Sequence, residues 1–228
     1  MAVSDTAATV GKYGVRHLAT DACDIIREKI ITGEFPPGMQ LSERTLAEEV
    51  GSSRTPIRVA LANLTADGLV EQIPHIGVFV RKLSFEEAVA LVELRRALET
   101  AAAASAATKA KPAECAQLEE LGSQIEDARK SGNIVVRSKL EFKFHRLISK
   151  LADNKEISQG LTNTLYLTIL CPESMQGGVL QHNYEPRVSH VEVAKAIATG
   201  DARQALLTMW DHFDDLHQRL LAMLSKHE

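Results

Sequence analysis

The stretch Gly51 to Val70, GSSRTPIRVALANLTADGLV, does most to limit what this chain can become. Ser53 offers a side-chain oxygen to the free N–H groups of a helix start and reads as an N-cap. Beyond it Ile57, Leu61, Leu64 and Leu69 recur at roughly helical spacing, which gives one face to bury. The opposite face opens with Arg54, Thr55 and Arg58, where a helix entering a major groove end-on presents side chains to bases and phosphates. Upstream, Ser42 to Val50 reads as a short capped helix, and Gly51 breaks it from the next. Two short helices, a glycine turn and a basic, hydroxyl-rich second start make a helix-turn-helix pattern.

With these residues in view, Ala22 to Val80 resembles the winged helix-turn-helix of the GntR family of bacterial transcription regulators. The resemblance is carried by Ile30, Gly33, Pro37-Gly38, Leu41, Leu46-Ala47, Ser53-Arg54-Thr55-Pro56, Arg58, Ala60-Leu61, Leu64, Asp67-Gly68-Leu69-Val70, Gly77 and Phe79-Val80. It implies that Arg44, Arg54, Thr55 and Arg58 touch operator DNA and that the wing tip near Gly77 approaches the minor groove. The chain departs from the family at Ile76, where relatives usually carry a basic or polar residue.

Charge alone does not announce a DNA partner. The 228 residues carry a formal net charge of -4, and the first 83 hold 9 Lys/Arg against 10 Asp/Glu. The basic surface has to be local, built from Arg44, Arg54, Arg58, Arg81 and Lys82. So few phosphate contacts per protomer argue for a homodimer on two half-sites of a palindromic operator. An apolar fraction of 45% with 25% charged residues suits a globular protein of one large or two small domains. Cys23, Cys115 and Cys171 form no CxxC pair and read as thiols in a reducing cytoplasm. Neither a signal peptide nor a membrane span is recognisable, so residues 1–15 read as a flexible leader.

The stripe Leu18, Ala22, Ile25, Ile26 and Ile30 gives a helix from Arg16 to Thr32, ended by Gly33 and the turn at Pro36-Pro37-Gly38. After the recognition helix, Leu69–Ile73 and Val78–Arg81 are β-prone runs around Pro74-His75-Ile76-Gly77, a two-stranded wing. His75 at its tip can meet a phosphate or stand as a solvated turn residue. The DNA-binding domain therefore spans 16–82. Ser84 followed by Glu87 is a capping box that starts a second domain, 84–228. From there only helical periodicity follows, in segments near 84–108, 112–131, 134–152, 155–170, 187–198 and 202–225, with a glycine-containing loop at Pro172–Tyr184. The fold class is mainly α: a winged helix-turn-helix followed by an antiparallel all-α bundle large enough to bury its own core.

Glu141 and His145 share one helix face at a spacing of four, which by itself marks a solvated pair more often than a ligand pair. His190 and His212 say more. The turn between their helices falls at Gly200-Asp201, about ten residues after one and eleven before the other. At ~1.5 Å per residue both sit roughly 16 Å from it, which makes them level in an antiparallel hairpin. Three imidazoles and a carboxylate suit Zn2+, with Ni2+ or Mn2+ as alternatives, and leave coordination positions open. His17, His75, His182, His217 and His227 do not fit this constellation.

The second half also resembles the FCD effector domain of the FadR subfamily, through the run at Glu93 to Glu99, Glu141, Phe144-His145, His190, Ile197, Gly200-Asp201, Met209 and His212. In metal-binding members, positions matching Glu141, His145, His190 and His212 hold the ion, which accepts the carboxylate of a small organic acid. Glu141 stands where the family has Asp. Arg95 matches a position that often faces the effector. The resemblance implies a ligand-responsive regulator, a repressor rather than an enzyme. The rivals are a regulator that senses the ion itself and a metal-dependent hydrolase, which three His and a carboxylate with open positions would permit.

Overall fold

The computed structural model describes residues 6–168, 170 and 186–224. The expected loop at Pro172–Tyr184 lies outside them, as do Cys171, His182 and His227. The chain divides into two compact units, Met1–Lys82 and Leu83–Glu228.

The first unit holds α1 (Thr6–Ile31), β1 (Gln40–Leu41), α2 (Glu43–Val50), α3 (Arg54–Ala66), β2 (Val70–Ile73) and β3 (Gly77–Val80). Helix α1 begins upstream of the Arg16 start that its apolar stripe suggests. Ser42 caps α2 by accepting from the Thr45 amide, and Gly51 ends it in the left-handed conformation at φ 67°, where a Cβ would be strained. Helix α3 buries Ile57, Leu61 and Leu64, each worth about 1.5–3 kcal/mol of apolar burial, and packs on α1. Ser53 occupies its N-cap position, but its side chain makes no capping bond. The hydroxyl is thus not committed to the helix end, contrary to the expectation for Ser53.

The wing has three strands rather than the two expected. β2 and β3 form the antiparallel hairpin, and Gln40–Leu41 joins the free edge of β3, giving the order β1-β3-β2. Two residues after Pro-Pro-Gly are too short a run to show β periodicity. Pairing with β3 creates the strand, not local preference.

The second unit comprises α4 (Phe85–Lys109), α5 (Pro112–Lys130), α6 (Ile134–Leu151), α7 (Lys155–Thr168), α8 (His190–Ala198) and α9 (Ala202–Leu224). The Ser84/Glu87 capping box opens α4, with Ser84 N–H donating to Glu87 at 2.8 Å and Glu87 N–H to Ser84 Oγ at 3.2 Å. Helix α4 packs along α9 and against α6 and α7, while α5 packs against α6 and α8. The core between them is aliphatic with two phenylalanines, Phe144 and Phe213, fully buried. Gly122 on α5 lets the start of α8 come close: a Cβ there would stand 3.0 Å from Val191 N and 3.1 Å from the His190 carbonyl carbon. The architecture is mainly α, a winged helix-turn-helix followed by an all-α bundle. Among the described residues no helix is long and apolar enough to cross a membrane.

Candidate metal centre and nucleic-acid interface

A second capping box sets the first functional side chain. Ser189 accepts from the Glu192 amide at 3.2 Å while Glu192 accepts from the Ser189 amide at 2.7 Å. This makes His190 the first residue of α8, three residues later than the Arg187 start read from periodicity. His145 comes from α6 and His212 from α9. The ring centroids lie 4.6 Å apart for His190 and His212, 5.4 Å for His145 and His190, and 5.8 Å for His145 and His212. One nitrogen from each ring falls within 4.8 Å of the others, and all three residues are buried.

The hydrogen bonds around the rings decide which nitrogens are free. His145 Nδ1 faces the carboxylate of Glu99, and His212 Nδ1 stands 2.7 Å from the carbonyl of Val188. Both partners are acceptors, so each Nδ1 carries a proton and each Nε2 is the nitrogen left for an ion. His190 Nδ1 is buried with no hydrogen-bond partner. Burial, and then the neighbouring His212 and His145, hold His190 well below its ordinary value. Burial and His145 lower His212 to about 4. Both rings are therefore neutral near pH 7, the form that donates to a metal. An orphaned buried nitrogen beside two imidazoles oriented through their Nδ1 atoms is a donor set that fits a divalent ion such as zinc.

Glu99, which the sequence did not single out, supports the cluster from behind His145. It lies on α4 with no exposed surface, accepts from Arg95 Nε at 2.8 Å, and contacts His145. Burial on its own would raise its carboxyl, but His145 and Arg95 hold it down, to about 2. An acid on the apolar stripe that runs through Val92, Ala103 and Ala106 was the available signal. Arg95, expected to face an effector, is bound to Glu99, and its guanidinium lies over the Phe213 ring at 5.1 Å. Glu141 stands one turn before His145 but outside the three-nitrogen group. Its Oε1 is 3.3 Å from Nε of Arg137, a side chain only 7% exposed. Burial raises the Glu141 carboxyl while Arg137 pulls it back down. His217, which sequence spacing leaves at the surface or around the cluster, is buried on α9 between Glu93, at 2.9 Å, and Arg96.

In the first unit Ser53, Arg54, Thr55 and Arg58 are exposed around the start of α3, and Arg44 is exposed on α2. Arg58 Nε reaches Glu43 at 2.8 Å and Arg44 reaches Glu48 at 3.4 Å, both in solvent. Such pairs exchange readily for phosphate contacts. At the wing tip His75 has φ 63° and is exposed. Gln40 donates to the Ile76 carbonyl at 3.1 Å and lies against Gly77, where a Cβ would come within 2.8 Å of its amide nitrogen. Among the described residues Ile76 is the most exposed of the large apolar side chains, at 62%.

Comparison with known proteins agrees with both units. Residues 18–80 match the model for bacterial regulatory proteins of the gntR family, and residues 90–215 match the FCD domain. The chain is 29% identical over 198 residues to the probable D-xylose utilization operon transcriptional repressor of Paenarthrobacter nicotinovorans, covering 86% of this chain and 85% of that one. It is 31% identical over 129 residues to the HTH-type transcriptional repressor RspR of Escherichia coli K12, covering 57% of each. The solved structure of E. coli McbR/YncC has the same fold, with a TM-score of 0.70 at 20% identity over 92% of this chain and 98% of that chain. The exposed basic start of α3 and the helical bundle behind the domain border thus have one explanation: the chain belongs to the GntR family of DNA-binding transcription regulators, with an FCD domain as its second unit, and is a regulator rather than an enzyme.

Proposed function

We propose that this regulator is a repressor of the FadR subfamily whose operator affinity is set by a small organic acid bound at an ion in the helical bundle. The observation that carries the reading is the trio His145, His190 and His212, buried together with one ring nitrogen left orphaned. A bare cluster of this kind is costly, because each unpaired buried polar atom forgoes its hydration. His145, His190 and His212 would hold the ion, with Glu141 in reach from the preceding turn of α6. When bound, a divalent ion such as zinc supplies open positions that accept a carboxylate. Glu99 fixes the His145 ring and the Val188 carbonyl fixes the His212 ring.

The reading half uses Arg54, Thr55 and Arg58 in the major groove, Arg44 and Ser53 on phosphates, and His75 and Gly77 where the wing meets the backbone. Two copies are needed, since one protomer offers few phosphate contacts, and they meet a palindromic operator as a homodimer. The acid must bind the DNA-incompetent arrangement about 10- to 100-fold more tightly to release the operator. Two relatives whose names describe them as repressors support that direction.

The test is fluorescence anisotropy on an operator selected from a random duplex pool, with zinc-loaded protein and a panel of small mono- and dicarboxylates and sugar acids. At least one acid weakens binding, and a chelator abolishes its effect. A change in operator affinity on adding zinc alone, with no acid active, replaces this reading with a regulator that senses the ion itself.

A further inference from the structure

The wing ends in an apolar tip that its own backbone holds in place. Ile73 to Val80, IPHIGVFV, contains no charged residue, although exposed hairpins and edge strands commonly carry charge. Ile76 stands on this tip at 62% exposure. Pro74 and His75 form a type II turn, closed by the Ile76 N–H donating to the Ile73 carbonyl at 3.1 Å. His75 adopts φ 63° there, a conformation glycine would take at lower cost. From the added strand β1, Gln40 donates to the Ile76 carbonyl at 3.1 Å. Gly77 at φ 143° leaves room for that amide, since a Cβ would come within 2.8 Å of its nitrogen. Both polar backbone atoms of Ile76 are thus tied down, and its side chain is left standing in solvent.

An isoleucine has no donor or acceptor, so it reads no base edge by hydrogen bonding. It carries no charge either, so it adds nothing to counterion release. What it offers is a stiff apolar wedge: branching at Cβ restricts χ1, and the pinned turn keeps the side chain from folding back. Single exposed apolar residues are ordinary on a protein surface. This one is distinguished by its support, and by sitting between His75 and Gly77 on the hairpin that faces the duplex. A single turn is narrow enough for a minor groove about 6 Å wide, while α3 needs the major groove of about 12 Å. In the minor groove an apolar wedge unstacks a base step and kinks the duplex, at least cost where a pyrimidine precedes a purine.

We infer, resting on the reading that α3 enters the major groove of an operator, that Ile76 is a specificity-determining contact. It wedges from the minor groove into one pyrimidine–purine step of each half-site, while His75 and Gly77 on either side meet the backbone. The step is selected through its deformability, so the wing reads sequence without a hydrogen bond to any base.

The test uses the full chain and an operator selected from a random duplex pool, with 2-aminopurine replacing adenine at each TA and CA step in turn. In the wild type one such step per half-site brightens on binding, because its base leaves the stack. In Ile76→Ala the rise is lost and anisotropy gives about tenfold weaker binding, the size expected for losing most of one isoleucine's burial. The slope of affinity against salt stays the same, since no phosphate contact is removed. Ile76→Leu keeps the rise. Exchanging the responding step for AA weakens the wild type and leaves Ile76→Ala unaffected. Circular dichroism checks that the variants are folded, and sedimentation checks that they keep the wild-type oligomeric state. The inference is overturned if no step responds in the wild type, or if Ile76→Ala keeps the rise or the full affinity. It is overturned too if binding falls only because Ile76→Ala has lost its oligomer, which makes Ile76 a protein contact. In each of these cases the loss of binding in Arg54→Ala leaves the operator reading standing. Failure of the full chain to select any duplex overturns both.

Discussion

Replacing Glu99 by glutamine separates the support of the imidazole cluster from the cluster itself. The carboxylate is completely buried and accepts from two donors, His145 Nδ1–H and Arg95 Nε–H. Glutamine keeps the shape but has a single acceptor oxygen, and its NH2 must face one of the two donors. Two charge-assisted bonds, each about 1.5–3 kcal/mol, become at best one, and the other donor is left facing the NH2. The Arg95 guanidinium, 12% exposed, is left without its counter-charge. The metal-free fold should lose about 3 kcal/mol, in the range for removing one partner of a buried pair. Zinc affinity should fall about 10- to 100-fold, because the His145 ring loses the group that fixes its proton and orientation. Urea unfolding of the metal-free protein measures the first quantity and competitive zinc titration the second. A variant within about 0.5 kcal/mol of wild type, well inside the ordinary scatter for surface changes, with zinc affinity unchanged, would refute the role given to Glu99.

Arg54→Ala and Arg58→Ala should each abolish specific operator binding in a gel-shift assay while changing stability by less than about 0.5 kcal/mol, since both side chains are exposed; unchanged affinity in both removes them from the interface. The metal-free protein should lose stability as pH falls. His212 is lowered to about 4 in the fold against about 6.5 unfolded, so its contribution is complete above pH 6.5 and lost as pH drops through 4. That amounts to about 3 kcal/mol, with His190 acting in the same direction. His212→Gln should flatten the stability profile between these pH values, and an unaltered slope would count against a neutral buried ring. Gly122→Ala gains about 1 kcal/mol of helix propensity but must push the backbone of His190 and Val191 aside by a few tenths of an ångström. Overpacking of about 1–3 kcal/mol outweighs the gain, leaving a net loss of about 1 kcal/mol and weaker zinc binding. A stabilised variant with full zinc affinity would show that the α8 backbone yields freely there.

What could be seen in the sequence was whatever depends on local chemistry or on simple spacing. Ser84 with Glu87, Gly51, and the basic face of α3 are local signals, and each determines structure where it stands. The level placement of His190 and His212 follows from counting residues on either side of Gly200-Asp201. The group at Glu99 could not be counted out in this way, because it joins α4 to α6 across a separation that no periodicity records. Arg137 likewise reads as one more basic residue on α6 until its burial beside Glu141 is visible. β1 was hidden because a two-residue strand is made by its partner, and the later start of α8 because Ser189 and Glu192 compete with an apolar run that begins earlier. His217 sits on an apolar face because Glu93 and Arg96 satisfy it, which its spacing from His212 did not reveal.

The account stands on three imidazoles sharing one ion. Equilibrium dialysis of the metal-stripped chain against zinc measures this directly. One zinc per chain should bind saturably to the wild type, and His190→Ala, which deletes the orphaned ring, should retain none at the same free concentration. No saturable binding by the wild type, or an undiminished stoichiometry in His190→Ala, would contradict it.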